Sequence, residues 1–338
     1  MEVLGCSRPT IRTAIQILVD EGVLHRQPGV GTYVGLPEPR GDTQRALGLI
    51  VPTIADPCHS ELAEAVEQQS SKAGYHQILG QSLYTPGGEA KCLMKFAANP
   101  CVKGLVVVPN LGDDWPLQAY RYLQERGIPV VLAVRNARAI EADVVASDNL
   151  RGAREIVHYL IGIGHRRIAY IQGVPQWLGS RFEGYRQALG GSGIPDDKDL
   201  ILSLNAPARQ AGREGVKVLL DRGVRFSAIF ARNDATAVGV LQGLEEARIR
   251  VPDQVSVAGI DSTHISGNLV PPLTTVDTSL EEIARQAVNL LLDRVEGRFD
   301  GPARNLTIQP RLIIRGSTAP PGNSSFAFTQ ATGLGTSG

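Results

Sequence analysis

Residues 151–173, RGAREIVHYLIGIGHRRIAYIQG, decide the fold of this chain. In the first half, Ala153, Ile156, Val157, Leu160 and Ile161 share one face at helical spacing. The second half, RIAYIQG (167–173), is a short apolar run bounded by turn residues, the pattern of a buried parallel strand. The same alternation extends in both directions. Further strand-like runs are LGLIVP (47–52), KGLVVVP (103–109), IPVVLAV (128–134), SAIFA (227–231) and VSVAGID (255–261). Amphipathic segments fall between them at 61–74, 115–127, 213–223 and 237–249. Strands alternating with helices of this length imply an α/β, doubly wound parallel sheet. There are too many units for one small sheet, so two Rossmann-like lobes are expected.

The bulk numbers set the frame. A chain of 338 residues exceeds one core. Its 43% hydrophobic and 20% charged residues describe an ordinary globular protein. The formal net charge is zero, which excludes a broadly basic nucleic-acid surface; any DNA contact must come from a local cluster. Cys6, Cys58, Cys92 and Cys101 form no CxxC pair and no Cys/His zinc spacing, so reduced thiols and no metal are expected. No apolar run approaches the ~20 residues of a membrane span, and no signal-peptide pattern opens the chain. A cytoplasmic protein without a membrane partner follows as the expectation.

Four zones are expected: 1–35, a short helix and hairpin; 36–45 (LPEPRGDTQR), a polar linker; 46–318, the βα body; and 319–338, a disordered tail rich in Gly, Ser, Thr, Ala and Pro. In the first zone Ser7 suits an N-cap and Pro9 the first helical turn. Ile11, Ala14, Ile15, Leu18 and Val19 form an apolar face. Arg8, Thr10 and Arg12 gather in the opening turns. Cations there oppose the helix dipole, so an anionic partner explains them better than local stability does. Phosphates and guanine edges of a major groove fit that chemistry.

This first zone resembles the GntR-type winged helix-turn-helix. Gly5, Ser7, Arg8, Thr10, Arg12, Ala14, Leu18, Glu21 and Gly22 match its recognition helix, and Gly29, Gly31, Thr32 and Val34 its wing. The resemblance implies that Ser7, Arg8, Thr10 and Arg12 contact operator DNA and that the turn at Gly29 approaches the neighbouring backbone or minor groove. About two further helices precede this one in the family, whereas Met1 lies almost on it. A missed start or a fragment is the expected reason, a truncated regulator with impaired DNA binding the alternative.

The body resembles the LacI/GalR regulators and the ribose-type periplasmic binding proteins. The resemblance rests on Ser147-Asp-Asn149, the run from Ile163 to Gly173, Ser180 to Leu189, Phe230 to Gly239, Val255 to Asp261, Leu273 to Thr278 and Arg311 to Thr318. It implies a two-lobed periplasmic-binding-protein-like body with three crossovers. Lobe one is expected at about 46–164 and 277–302, and lobe two at about 165–273 and 306–318.

Asp148, Arg181, Asn233 and Asp261 each fall at a strand's C-terminal end or a helix start, where open α/β sheets bind ligands. Carboxylates accept from vicinal hydroxyls while Arg and Asn donate to sugar oxygens. By resemblance these four are the sugar contacts. Asp56 and His59 after the first strand, and Asn110 after the second long strand, are further candidates. Cys58 and His59 stand where the binding proteins favour an aromatic pair, which weakens the case for a simple aldohexose. Helix capping suits Asp148 and Asn233 as well, a turn suits Asp261, and a surface salt bridge suits Arg181.

Nucleotide and hydrolase signatures are missing: no G-x-G-x-x-G spacing, no phosphate-binding loop and no G-x-S-x-G elbow. His165 reads as structural. The expectation is therefore a non-enzyme without cofactor: a sugar-responsive repressor, similar in arrangement to AraR-type arabinose repressors and released by a mono- or disaccharide effector. It would bind operator DNA as a homodimer. The proline-containing linker in place of a hinge helix leads to an expectation of partial induction. The alternatives are a solute-binding protein of a sugar transporter and, less well supported, a nicotinamide enzyme.

Overall fold

The computed structural model describes residues 7–21, 23–27, 31–34, 45–110, 115–137, 139–174 and 179–322. The chain divides into two compact units, Met1–Arg45 and Ala46–Gly338. In the first, α1 (Arg8–Asp20) starts at Ser7, whose Oγ accepts from the Thr10 amide at 3.3 Å. β1 (Leu24–Gln27) and β2 (Gly31–Val34) pair antiparallel, with Gln27 opposite Gly31. On the apolar face of α1, Ile11, Ile15 and Val19 are half-buried, while Ala14 and Leu18 are exposed. Gly29, residues 36–44 of the expected linker and residues 323–338 of the expected tail lie outside the described residues.

The second unit opens with β3 (Ala46–Val51), α2 (Pro57–Lys72), β4 (His76–Gln81), α3 (Pro86–Ala97), β5 (Val102–Val107), α4 (Leu117–Glu125), β6 (Val130–Ala133) and β7 (Asp143–Ser147). There follow α5 (Asn149–Gly162), β8 (Ile168–Gln172), α6 (Ser180–Gly191), β9 (Ile201–Ser203), α7 (Ala208–Asp221), β10 (Ala228–Ala231) and α8 (Asp234–Glu246). β11 (Ser256–Ala258), α9 (His264–Asn268), β12 (Thr275–Asp277), α10 (Leu280–Val295), β13 (Asn305–Ile308) and β14 (Arg311–Ile313) complete it.

Lobe one is a parallel sheet in the order β4-β3-β5-β6-β7-β13. One face packs on α2 and α10, the other on α3 and α4. Lobe two is a parallel sheet in the order β9-β8-β10-β11. It is sandwiched between α7 with α8 and α5 with α6. The central strands β3 and β8 are buried at every position, which is why they read as unbroken apolar runs. α7 and α8 pack closely because Gly212 and Gly239 face the partner backbone; a Cβ on Gly239 would collide with the Arg209 carbonyl oxygen.

The chain crosses between lobes three times, after β7, after β12 and after β13. Two expected boundaries shift. Helix α5, expected in lobe one, belongs to lobe two. Its Ala153, Ile156, Val157 and Leu160 share a core with Tyr170, Tyr185 and Phe230. The crossing comes at Asp148, before the helix. Residues 306–308, expected in lobe two, belong to β13, which extends the lobe-one sheet beside β7 with Asn305 opposite Val144.

A buried carboxylate pins this C-terminal return. Asp143, with 1% of its side chain exposed, takes Arg294 of α10 on both oxygens (2.9 and 3.1 Å) and Arg304 on Oδ2 at 3.0 Å. The Arg304 amide donates to Oδ1 at 2.7 Å. Both guanidiniums also stack on Phe299. Burial works against the charged form of Asp143, but these hydrogen bonds outweigh it and hold the pKa low. Removing one member of such a buried set leaves the others uncompensated. Asp143→Ala is expected to cost about 3–5 kcal/mol of stability, read by thermal or urea unfolding. A loss below about 1 kcal/mol would show that the pin is no stronger than a surface pair.

Candidate functional site

In sheets of this winding, ligands sit beyond the strands' C-terminal ends. Loops from those ends of both lobes line one cleft of about 670 Å³, part of it open to solvent. Lobe one supplies Asp56, Cys58 and His59 from the β3–α2 turn, Tyr84 after β4, and Val134 and Arg135 after β6. Lobe two supplies Asn149, Ser180, Arg181, Arg232, Asn233 and Asp261. Three of these residues, Tyr84 (φ 57°), Val134 (φ 67°) and Asp261 (φ 122°), have positive φ, a conformation that costs a non-glycine residue energy and gathers at binding sites.

Arg181 organises the floor. Its Nε donates to Asn149 Oδ1 (2.7 Å), one terminal nitrogen to the Arg232 carbonyl (2.9 Å) and the other to Asp261 Oδ1 (2.6 Å). A guanidinium has five N–H donors, so two remain for a ligand. Burial opposes its charge, but the Asp261 carboxylate outweighs that and raises its pKa. Asp261 accepts on Oδ1 only, which leaves Oδ2 as a free acceptor among the described residues.

Asp56 and Asn233 each divide their polar atoms between two tasks. Asp56 Oδ1 caps α2 by accepting from the Cys58 amide (3.1 Å), and Asn233 Oδ1 caps α8 by accepting from the Thr236 amide (3.0 Å). The remaining atoms face each other across the lobes, with Asn233 Nδ2 donating to Asp56 Oδ2 at 3.4 Å. Capping and cleft lining are thus compatible. Nearby, Glu61 of α2 accepts from the His264 amide at 2.8 Å and from its imidazole, a second link between lobes.

His59 is buried, and its Nδ1 lies 2.9 Å from the Thr53 carbonyl. A carbonyl only accepts, so Nδ1 carries the proton and Nε2 is left as an acceptor. Desolvation and the Arg135 charge lower its pKa to about 3. Behind the floor, Asp234 accepts from Thr275 Oγ1 (2.6 Å) and from the Thr263 amide (2.8 Å). Burial and the charge of Asp261 raise its pKa to about 7.

The structure gathers Asp56, His59, Arg181, Asn233 and Asp261 in the cleft, and two expected contacts stand off it. Asp148 turns its carboxylate back to cap α5, accepting from the Arg151 amide at 3.0 Å, and its neighbour Asn149 lines the cleft instead. Asn110 is buried beneath the site, where its amide donates to Glu89 (2.8 Å) and its side chain to the Thr85 carbonyl (2.7 Å). Tyr84, Arg135 and Arg232 escaped the sequence reading. Both arginines directly follow apolar strand runs, so the strand-end rule could have found them.

In the first unit Ser7, Thr10 and Arg12 are exposed on the opening turns of α1, with Ser7 Oγ 2.7 Å from Thr10 Oγ1. The backbone of Arg8 is the first residue of the helix; Gly29 lies outside the described residues. Among the described residues no cluster of His, Cys, Asp or Glu could hold a metal, and no helix is long and apolar enough to cross a membrane. His165 is tied to Ser227 (2.8 Å), Ser256 and the Ala319 carbonyl (3.0 Å each), bonds that anchor the entry of β8.

The two-lobed cleft and the helix–hairpin segment together define a ligand-binding body fused to a DNA-reading element. Residues 157–318 match the family described as periplasmic binding protein-like domain, and residues 1–34 match the bacterial regulatory proteins of the gntR family. The HTH-type transcriptional repressor CytR of Escherichia coli (strain K12) is 32% identical over 308 residues, 89% of each chain. A LacI family transcriptional regulator from Enterococcus faecium, solved with bound ribose, superposes with a TM-score of 0.71 at 26% identity, covering 82% of this chain and all of that one. The complex of the transcriptional regulator CelR with cellobiose gives a TM-score of 0.71 at 26% identity, covering 93% and 92%. The chain belongs to the HTH-type transcriptional regulators with a LacI-type body, here carrying a gntR-type N-terminal segment.

The cleft titrations have opposite signs. Below pH ~6.5 an unfolded His59 takes up a proton that the folded site refuses, so stability falls with falling pH. Asp234, with its raised pKa, does the reverse, and the folded state loses stability as pH rises from ~4 towards 7. Replacing His59 isolates its contribution. Between pH 7 and 5, His59→Gln is expected to lose on the order of 2 kcal/mol less stability than the parent chain. Equal losses would show that the imidazole is charged in the fold.

Proposed function

We propose that this regulator represses transcription and is released when a sugar-type effector binds between its lobes. The observation that carries the reading is the Arg181–Asp261–Asn149 floor: among the described residues two donors and one acceptor oxygen remain unused, in a cleft shared with Asn233 and Asp56 of opposite lobes. Vicinal hydroxyls need such alternating partners. Ribose and cellobiose in the related structures, and the name repressor for the CytR relative, support the same reading. The ligand contacts are Asp56, His59, Arg181, Asn233 and Asp261, joined by Asn149. Asp148 and Asn110 act behind them, one as a cap and one as a support.

Ser7, Arg8, Thr10 and Arg12 read the operator, and Gly29 is the further contact that the family resemblance implies. The protein is a cytoplasmic homodimer and performs no catalysis. Exposed Ile54, Leu79, Leu83 and Met94 gather around the edge strand β4, an apolar margin that a second copy would cover. Effector binding biases the lobes towards closure, and closure changes how a dimer presents its two DNA-reading segments. Induction is partial, as the proline-containing sequence 36–45 in place of a hinge helix leads one to expect.

The test is titration of the full chain against operator duplexes selected from a random library. Saturating sugar is expected to weaken binding by about 5–150-fold. Asn233→Ala is expected to raise the half-effective sugar concentration about tenfold or more, as loss of a buried donor costs ~1–3 kcal/mol. Operator affinity that no sugar alters would refute the reading. Independently, Arg12→Ala is expected to reduce the slope of log affinity against log salt by about one. An unchanged slope would remove Arg12 from the phosphate contacts.

A further inference from the structure

Among the described residues, the cleft is lined by three guanidiniums, Arg135, Arg181 and Arg232, against two carboxylates, Asp56 and Asp261. His59 adds no charge at neutral pH. Arg181 is matched with Asp261 at 2.6 Å. No carboxylate oxygen lies within 4.0 Å of Arg135 or Arg232 among the described residues. Arg135 donates once, to the Pro109 carbonyl at 3.2 Å. The Arg232 guanidinium makes no hydrogen bond to the described residues; only its backbone carbonyl is used, by Arg181. Asp56 is committed to its helix cap and to Asn233.

The two unmatched cations come from opposite lobes, Arg135 from the end of β6 and Arg232 from the end of β10. Both line the same cleft, where burial and then the Arg232 charge depress the Arg135 pKa. Neutral hydroxyls would leave that repulsion in place as the cleft shuts. An oxyanion between them would reverse it, because guanidinium forks match carboxylate and phosphate oxygens in paired hydrogen bonds.

We propose that the effector is an anionic polyol, a sugar acid or sugar phosphate, whose oxyanion bridges Arg135 and Arg232 while its hydroxyls meet Arg181, Asn233 and Asp261. The proposal rests on the sugar-sensing reading above and narrows it to one chemical class. It also supplies a reason for closure: with one cation on each lobe, the anion binds more tightly the nearer the lobes hold them together.

The experiment compares matched ligands on the full chain by thermal shift and calorimetry at fixed ionic strength. The pairs are glucose with glucuronate, gluconate and glucose 6-phosphate; galactose with galacturonate; and ribose with ribose 5-phosphate. Inorganic phosphate alone is the control. At least one charged member is expected to bind about tenfold or more tightly than its neutral partner. Arg135→Gln and Arg232→Gln should each erase most of that preference. The carboxylate and phosphate arms separate the two sources of the oxyanion.

Neutral sugars that bind, with no charged partner binding more tightly in any pair, overturn the proposal and leave sugar sensing intact. Silence in every arm overturns both. An effect fully reproduced by inorganic phosphate overturns the polyol part. A second measurement needs no ligand. Without effector, Arg232→Gln is expected to melt at or above the temperature of the parent chain, because it removes one of two repelling cations. A clear drop in Tm would show that Arg232 is already matched within the fold, contrary to the proposal.

Discussion

The cleft depends on one buried guanidinium. Arg181, at the first turn of α6, is fixed by Asn149 at the start of α5, by the Arg232 carbonyl after β10 and by Asp261 after β11. Four separate segments of lobe two therefore meet at one side chain. An ion taken out of water must be matched and hydrogen-bonded, or it destabilises the fold. Asp261, which supplies the carboxylate, has a positive φ. The same requirement leaves specific atoms unused among the described residues, and those atoms form part of the cleft's polar lining.

Lobe one offers a different surface. Its residues arrive on loops after β3, β4 and β6, and among the described residues the long Asn233–Asp56 contact and the His264–Glu61 link join the lobes. Bonds of this kind are easily exchanged for ligand bonds. The three chain crossings, by contrast, are covalent, and the C-terminal return that includes one of them is anchored by Asp143. Rigid lobes joined by a few segments move as bodies, which suits a switch that responds to ligand by changing orientation. The repelling pair Arg135 and Arg232 adds a bias against closure that a bridging anion would remove.

The sequence revealed the parts of this architecture that are buried on both sides. β3, β5, β8 and β10 appear as apolar runs because both faces of each strand meet helices. The strands missed break the apolar pattern or are very short. β4 (HQILGQ) is half exposed, β7 begins with the charged Asp143, and β9 has three residues. Helix α3 was hidden by its Pro86-Gly-Gly88 opening, which reads as a turn until Thr85 is seen to cap it. The misplacement of α5 has another origin: periodicity fixes a helix's buried face but not the sheet it packs on. In the cleft, residue chemistry pointed to Asp56, His59, Arg181, Asn233 and Asp261. Asp148 and Asn149 differ by one position, and only the backbone decides which caps and which faces the ligand. Arg135 and Arg232 passed unnoticed because an arginine after a strand is usually a solvated surface residue.

In the proposed function, Arg181, Asn233 and Asp261 form the effector site between the lobes. A crystal structure of the chain with its tightest-binding polyol tests it most directly. The expected result is ligand oxygens within about 3.2 Å of all three side chains, with residues of both lobes enclosing the molecule. A ligand bound elsewhere, with the Arg181 floor empty at saturation, would contradict it.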